Sequence, residues 1–271
     1  MNIVDSEVKF NHFLELLPRF KIIGLDTEFQ RTKTYYPLLS LIQVALDEKN
    51  IFLLDVLVLK DELIKKFLQH LLDKKTEVII HSCEQDILAI FYKYKIILQN
   101  VFDTQIYAKE IFEHDIGYGN LCKEFLNIDV DKNCQYSDWL KRPLTSEMLD
   151  YAAIDVLHLH ALRDILLKKI QISEKLKQKL KHLEEESRYV LNPLAGWKTF
   201  EKKTKKTQKH FLNVIKEMYQ KREIIAEKNN IIRKYVIRDE ILIAIAEKKF
   251  YNMEMKNLRI SKYAKTEDFI V

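Results

Sequence analysis

The spacing of apolar residues changes several times along the chain, and each change predicts an element. Lys21–Asp26 (KIIGLD) is an apolar run that closes on an acid. Leu41–Leu46 (LIQVAL) and Ile51–Asp55 (IFLLD) follow it, parted by the polar turn Asp47–Asn50. Strand-length runs at this spacing predict a three-strand meander. Asp61–Leu72 repeats its apolar positions at helical spacing, and Glu77–Ile80 (EVII) is a short β-branched run. Glu84–Tyr94 then reads as a helix and Asn100–Asp103 as a further strand. Alternation of this kind predicts an α/β domain with helices packed on a mixed sheet. Thr145–Lys169 reads as one long helix. Thr145 is its expected N-cap, with Glu147 and Asp150 in the first turns, where the helix dipole favours acids.

From about Gln171 the strand signals stop, Lys and Glu rise, and helical spacing takes over. Asn192–Gly196 (NPLAG) interrupts that pattern. The expected organisation is therefore an α/β domain over 1–170, a helical connector over 171–200 and a small all-α module over 201–271. Charge follows the same division. Residues 1–170 carry 21 basic and 26 acidic side chains, and residues 171–271 carry 24 and 14, so the front is −5 and the rear +10. A chain so divided suits cations at one end and polyanions at the other; the plainer reading is a lysine-rich surface kept for solubility.

Composition removes several classes. No apolar run is long enough to span a bilayer, so no membrane is expected as a partner. The N-terminal MNIVDSEVKF has no basic patch followed by an apolar stretch, so no signal peptide is expected there. Cys83, Cys122 and Cys134 are too few and too scattered for a disulfide framework or a zinc site, and a reducing cytoplasm is the simplest compartment. Only four glycines occur, and none builds a phosphate-cradling loop of the P-loop or Rossmann kind.

Three constellations carry candidate chemistry. Asp26-Thr27-Glu28 sits at the end of the first apolar strand, and alternation along a strand turns both carboxylates to one side. Like charges leaving a buried strand are costly unless a cation compensates, although most such pairs are solvated strand ends. His81-Ser82-Cys83-Glu84-Gln85-Asp86 leads from the EVII strand into a helix, a common place for catalytic groups. There Ser82 is a plausible N-cap, Asp86 is equally explained as a dipole-favoured acid, and His81 as a hydrogen-bonded strand-end histidine. Tyr151 and Asp155 are four apart on the long helix and share a face. Taken together, four acids and a tyrosine offer the hard oxygen ligands that suit Mg²⁺ or Mn²⁺. Two such ions about 4 Å apart can activate a water and stabilise the leaving oxygen in phosphodiester cleavage. A tyrosine beside them could orient or help deprotonate that water.

In this combination the chain resembles the ribonuclease D family, of the tyrosine-containing branch of the DEDD exonucleases. The matching stretches are Leu25–Arg31, Thr34–Pro37, Leu41–Gln43, His81–Asp86, Phe102–Gln105, Ser137–Leu144 and Tyr151–Val156. The resemblance covers about residues 20–165. It implies an RNase H-like exonuclease fold and metal-dependent hydrolysis from RNA 3′ ends, releasing nucleoside 5′-monophosphates. It carries the catalytic roles onto Asp26, Glu28, Asp86, Tyr151 and Asp155. Asp26, Glu28 and Asp155 would hold one of two divalent ions, Mg²⁺ or Mn²⁺. Asp26 would bridge to the second, and Asp86 would reach it directly or through water. Thr27, Gln43 and His81 would contact substrate. Beyond residue 200, Tyr219–Ala226, Val236–Leu242 and Ile245–Ala246 are similar, in divergent and shortened form, to the HRDC domain, a helical nucleic-acid-binding fold. Lys202, Lys203, Lys205 and Lys206 stand at the start of that module as candidate RNA contacts. The family points to tRNA precursors and other structured RNAs as substrates; separately, a monomer is expected. A DNA-directed 3′→5′ exonuclease and a non-catalytic RNA-binding scaffold are the competing readings. The mark of a scaffold would be loss of a metal carboxylate, and none is lost here.

Overall fold

In the computed structural model the chain folds as two units, Met1–Gln30 with Pro37–Ser187 and Arg31–Tyr36 with Arg188–Val271. The structure describes residues 1–31, 33–131, 133–170, 174–178, 196–205 and 207–247. Most of the expected connector over 171–200 lies outside these.

The first unit is built on a mixed six-stranded sheet. Its strands are β1 (Asn2–Val4), β2 (Ile22–Gln30), β3 (Leu38–Ala45), β4 (Ile51–Asp55), β5 (Glu77–Ile80) and β6 (Val101–Asp103), in the order β1-β4-β3-β2-β5-β6. β2, β3 and β4 form the antiparallel meander that the apolar runs predict. β5 and β6 add in parallel on one side, and β1 pairs with β4 in parallel on the other. Period-two alternation gives the sheet two apolar faces. One packs on α1 (Glu7–Leu16), α2 (Asp61–His70) and α3 (Glu84–Tyr94), with Phe10, Phe13, Phe67 and Ile23 wholly buried between them. The other packs on α4 (Thr104–Phe112), α5 (Tyr118–Leu126), α6 (Ser146–Leu157) and α7 (Leu159–Lys169), with Leu41, Leu53, Ala152 and Leu159 at its centre.

Three expectations are corrected. First, β2 does not end at Asp26 but runs on to Gln30, with a bulge between Glu28 and Phe29 in its pairing with β3. The two acids thus belong to the strand interior, and the polar residues continue the strand because β3 supplies a hydrogen-bonding edge. Second, the helix expected over Thr145–Lys169 is two helices. Thr145 does cap α6, its hydroxyl accepting from the Met148 N–H at 3.3 Å, but the helix breaks at His158, where φ is −100° and ψ 3°. In an unbroken α-helix the His158 N–H would bond to the Ile154 carbonyl. Here the Tyr118 hydroxyl stands between them, donating to the Ile154 oxygen at 2.7 Å and accepting from the His158 nitrogen at 3.2 Å. A side chain inserted into the ladder is a recognised cause of a break. Third, Ser82 is not an N-cap: it holds a left-handed φ of 60°. The loop is secured instead by Asp103, whose carboxylate accepts from the Ser82 and Cys83 nitrogens at 3.0 and 2.9 Å.

The second unit is helical in its described residues: α8 (Trp197–Glu201), α9 (Leu212–Lys228), α10 (Arg233–Val236) and α11 (Asp239–Ala246). Trp197, Phe200, Met218, Tyr219, Val236 and Leu242 form its core, and Tyr35 joins them. Arg222 and Glu223 are buried in that core, where polar side chains of this kind demand partners. The Arg222 guanidinium donates to Asp239 at 2.5 Å, and Glu223 accepts from Arg233 at 2.5 Å and from the Tyr35 hydroxyl at 3.0 Å. Tyr36 is held by Asn230 and Glu227 at 3.0 and 2.7 Å.

Candidate active site

β2 carries the first two acids. Gly24, Asp26 and Glu28 alternate to one face, and Ile23, Leu25 and Thr27 to the other. α6 packs on the first of these faces and delivers Asp155, whose carboxylate comes within 4.8 Å of those of Asp26 and Glu28. Ala152 and Ala153, both buried, leave room for the helix to come this close. The bulge after Glu28 lies where bulges commonly re-aim side chains beside reactive centres.

Asp86, in the first turn of α3, reaches the cluster from the opposite face. It is buried, and its carboxylate accepts from the Thr27 hydroxyl at 2.5 Å. Thr27, expected as a substrate contact, is itself buried and spends its hydroxyl on Asp86. Tyr151 lies one helical turn before Asp155 on α6, and its phenol stands close enough to feel the charge of that carboxylate. The Tyr151 ring rests near the buried Trp139, with centroids 6.0 Å apart. Trp139 belongs to the Ser137–Leu144 stretch, which Arg142 pins by a fork onto Asp55 at 2.6 and 2.9 Å and by a bond to the Trp139 carbonyl at 2.8 Å.

Electrostatics mark the four carboxylates as a set. Burial, then the charges of Asp86, Asp155 and Glu28, hold Asp26 well above the usual carboxylate range. Burial, then Asp155 and Asp86, push Glu28 up to about 9. Asp86 is raised to about 7, chiefly by burial, with the Thr27 hydrogen bond opposing. Tyr151 is pushed far above the ordinary phenol by burial and by Asp155, Glu28 and Asp26, and so stays neutral. Such mutual repulsion is relieved by a cation, and an all-oxygen donor set fits a hard divalent ion. A second observation points the same way. Gln43 lies opposite Asp26 in the β2–β3 register, is fully buried, and both its amide oxygen and nitrogen lack a protein partner. Such an amide needs a polar occupant beside it, as a hydrated ion would supply.

His81 stands at the end of β5, its Nδ1 2.9 Å from the Thr104 hydroxyl and its ring edge-on to Tyr118 at 5.8 Å. In the second unit Lys202 and Lys205 are exposed, whereas Lys203 is tied to Asp239 at 2.5 Å. Lys206 lies outside the described residues. Two contributors play parts that no local sequence pattern shows, although one of them, Asp103, falls within a stretch that matches the family. Asp103 caps α4 through the Gln105 N–H and also secures the loop through backbone nitrogens 20 and 21 positions away, and Tyr118 acts through backbone groups 36 and 40 positions away.

Comparison with known proteins gives consistent likenesses. Residues 1–171 match the family model described as 3′-5′ exonuclease. A ribonuclease D of Desulfotalea psychrophila is 35% identical over 256 residues, which cover 90% of this chain and 66% of that one. The chain spans less than two thirds of the length of the first curated relatives it matches. Among solved structures, Escherichia coli RNase D, "an exoribonuclease involved in structured RNA processing", matches with a TM-score of 0.78 and 25% identity over 92% of this chain and 67% of that one. Trypanosoma brucei RNase D, solved in complex with RNA U12, matches with a TM-score of 0.56 and 26% identity over 61% of each chain.

Proposed function

Because this chain belongs to the 3′-5′ exonuclease family and has its RNase H-like fold, we propose that it is a metal-dependent exoribonuclease. It would hydrolyse RNA from the 3′ end and release nucleoside 5′-monophosphates one at a time. The observation that carries this reading is the convergence of Asp26, Glu28 and Asp155 within 4.8 Å, with Asp86 close enough to raise the first two.

Asp26, Glu28 and Asp155 would hold one divalent ion, Mg²⁺ or Mn²⁺, and Asp26 and Asp86 a second. When bound, a pair of ions supplies an activated water and stabilises the departing 3′ oxygen. The chain's own groups do the placing. Thr27 fixes the Asp86 carboxylate through its hydroxyl. Tyr151, a neutral phenol beside Asp155, would orient the attacking water through its hydroxyl rather than strip its proton. The Gln43 amide would hold ordered water or a phosphate oxygen beside Asp26, and His81 would border the terminal nucleotide. Lys202 and Lys205 in the basic rear unit, an HRDC-like module in this reading, would grip the RNA body.

Structured RNAs, including tRNA precursors, are the proposed substrates, and a cytoplasmic monomer the proposed state. The structured-RNA processing of the Escherichia coli protein and the RNA held by the Trypanosoma brucei one support RNA over DNA. No described helix is long and apolar enough to cross a membrane. The test is incubation with 3′-tailed RNA and a matched DNA in Mg²⁺, Mn²⁺ or EDTA. Stepwise loss of RNA in either ion and none in EDTA is expected. Equal degradation in excess EDTA refutes the ion-dependent reading, and equal loss of the DNA makes the enzyme a general 3′ exonuclease.

A further inference from the structure

Asp155 is the one acid of the three-carboxylate group that comes from a helix, so its position depends on how that helix runs. α6 ends two residues beyond it, at Leu157, because the Tyr118 hydroxyl occupies the gap between the Ile154 carbonyl and the His158 N–H. One intrahelical bond is replaced by two bonds to a side chain, so the break is held open rather than merely tolerated. Beyond it α7 starts afresh at Leu159, and the restart has a defined seat. A Cβ on Gly24 would lie 3.3 Å from Leu159 Cδ1 and 3.4 Å from its Cβ. Leu159 therefore rests directly on the backbone of β2. Gly24 is two residues from Asp26 on the same strand face, and Leu159 is four residues beyond Asp155. The break and this contact together set how far along β2 the Asp155 carboxylate stands. The Tyr118 ring also lies edge-on to His81, which opens the loop leading to Asp86.

We propose that Tyr118 is a positioning residue of the ion site. Its hydroxyl, wedged into the α6–α7 ladder, holds Asp155 in register with Asp26 and Glu28 and so sets the affinity for a divalent cation. The proposal rests on the reading of these acids as ion ligands. Without the hydroxyl, His158 N–H and Ile154 C=O are left to bond to each other. That closure straightens the helix, lifts Leu159 from Gly24 and turns Asp155 away.

The experiment is calorimetric titration of Mn²⁺ into full-length wild type and Tyr118→Phe without RNA. Kinetics on a short 3′-tailed oligonucleotide and amide hydrogen exchange at His158 accompany it. Supports of metal ligands are typically worth about 10–100-fold in affinity. Tyr118→Phe is therefore expected to weaken the Mn²⁺ Kd by roughly 10-fold or more. kcat should fall in sub-saturating ion and recover at high ion, with KM for the oligonucleotide near the wild-type value. Exchange at His158 should slow as its N–H enters a helical bond. A second pair separates hydrogen bonding from ring packing: Tyr118→Gln keeps a donor and an acceptor, and Tyr118→Leu keeps neither. Tighter Mn²⁺ binding by the Gln variant than by the Leu variant supports the proposal even where Tyr118→Phe folds poorly; equal binding by the two counts against it. Wild-type Mn²⁺ affinity in a folded Tyr118→Phe overturns this proposal alone. A wild-type protein that binds no Mn²⁺ overturns the ion-site reading, and this inference with it.

Discussion

Gln43 shows what a single side chain can report. Its amide is wholly buried and meets no protein partner. An unpaired buried amide costs on the order of 1–3 kcal/mol. Gln43→Met, close in volume, should therefore leave the ion-free protein as stable or more so while lowering turnover about 10-fold or more, if the amide serves water or phosphate beside Asp26. Thermal melting beside a turnover assay checks this; unchanged turnover with a raised melting point would make Gln43 a packing residue. The acids make a second prediction, with a definite sign. Glu28 rises from 4.5 to about 9 on folding, and Asp26 and Asp86 rise too. For a carboxyl whose folded value is raised, stability is complete below its unfolded value and is lost as pH climbs toward the folded one. In EDTA the melting temperature should fall between pH 6 and 8.5. Saturating Mg²⁺ should remove most of that fall, because the ion replaces the protons. Glu28→Gln should flatten the EDTA profile; a wild-type profile already flat in EDTA contradicts the shared-field picture. At this scale much was legible. The common face of Asp26 and Glu28, and of Tyr151 and Asp155, follows from the periods of strand and helix. The Thr27–Asp86 bond does not, since its partners are 59 residues apart and no local pattern encodes such a meeting.

Elements were legible where their apolar spacing was undisturbed. β4, β5 and α3 run over the residues their patterns predict. β1 and α1 have no counterpart among the predicted elements, because three strand residues and a weakly patterned helix give little local signal. The break at His158 was hidden for a different reason. No Gly or Pro interrupts the residues from 145 to 169, and the agent of the break, Tyr118, lies outside them. Gly24 is the counterpart of that break on the sheet. Its missing Cβ is what lets Leu159 sit down, and an added Cβ there would also stand 3.3 Å from the Cβ of Ala45. Gly24→Ala should cost about 1–3 kcal/mol through overpacking, read as a lower urea midpoint. The same variant should lose ion affinity, because the pushed helix carries Asp155. Native stability in this variant would show that Leu159 and Ala45 have slack, and would leave Leu159 without a fixed seat.

Across the whole molecule the front residues are net acidic and the rear net basic, an asymmetry readable from the sequence without any structure. What the sequence could not apportion was which lysines remain available. Lys203 is engaged with Asp239, whereas Lys202 and Lys205 are exposed. Replacing Lys202 and Lys205 by Gln should flatten the salt dependence of RNA binding, by about 0.7 in log–log slope for each single-strand phosphate no longer neutralised. Turnover on saturating RNA should change little. A slope identical to wild type, measured by fluorescence anisotropy from 50 to about 200 mM salt, would assign these lysines to solubility. The pairing of Tyr35 with Glu223 was equally unreadable, and it has a consequence in time. The two residues are 188 positions apart. At roughly 5–20 residues per second, a ribosome takes about 10–40 s to travel between them. Throughout that interval the residues of the strand bearing Asp26 and Glu28 are already made, and those of β3 to β6 and α6 follow behind them. The aromatic pair at the end of that strand waits unburied. A nascent chain therefore has every acid of its candidate site before Tyr35 meets Glu223, and for those seconds its exposed tyrosines are a natural handle for a chaperone.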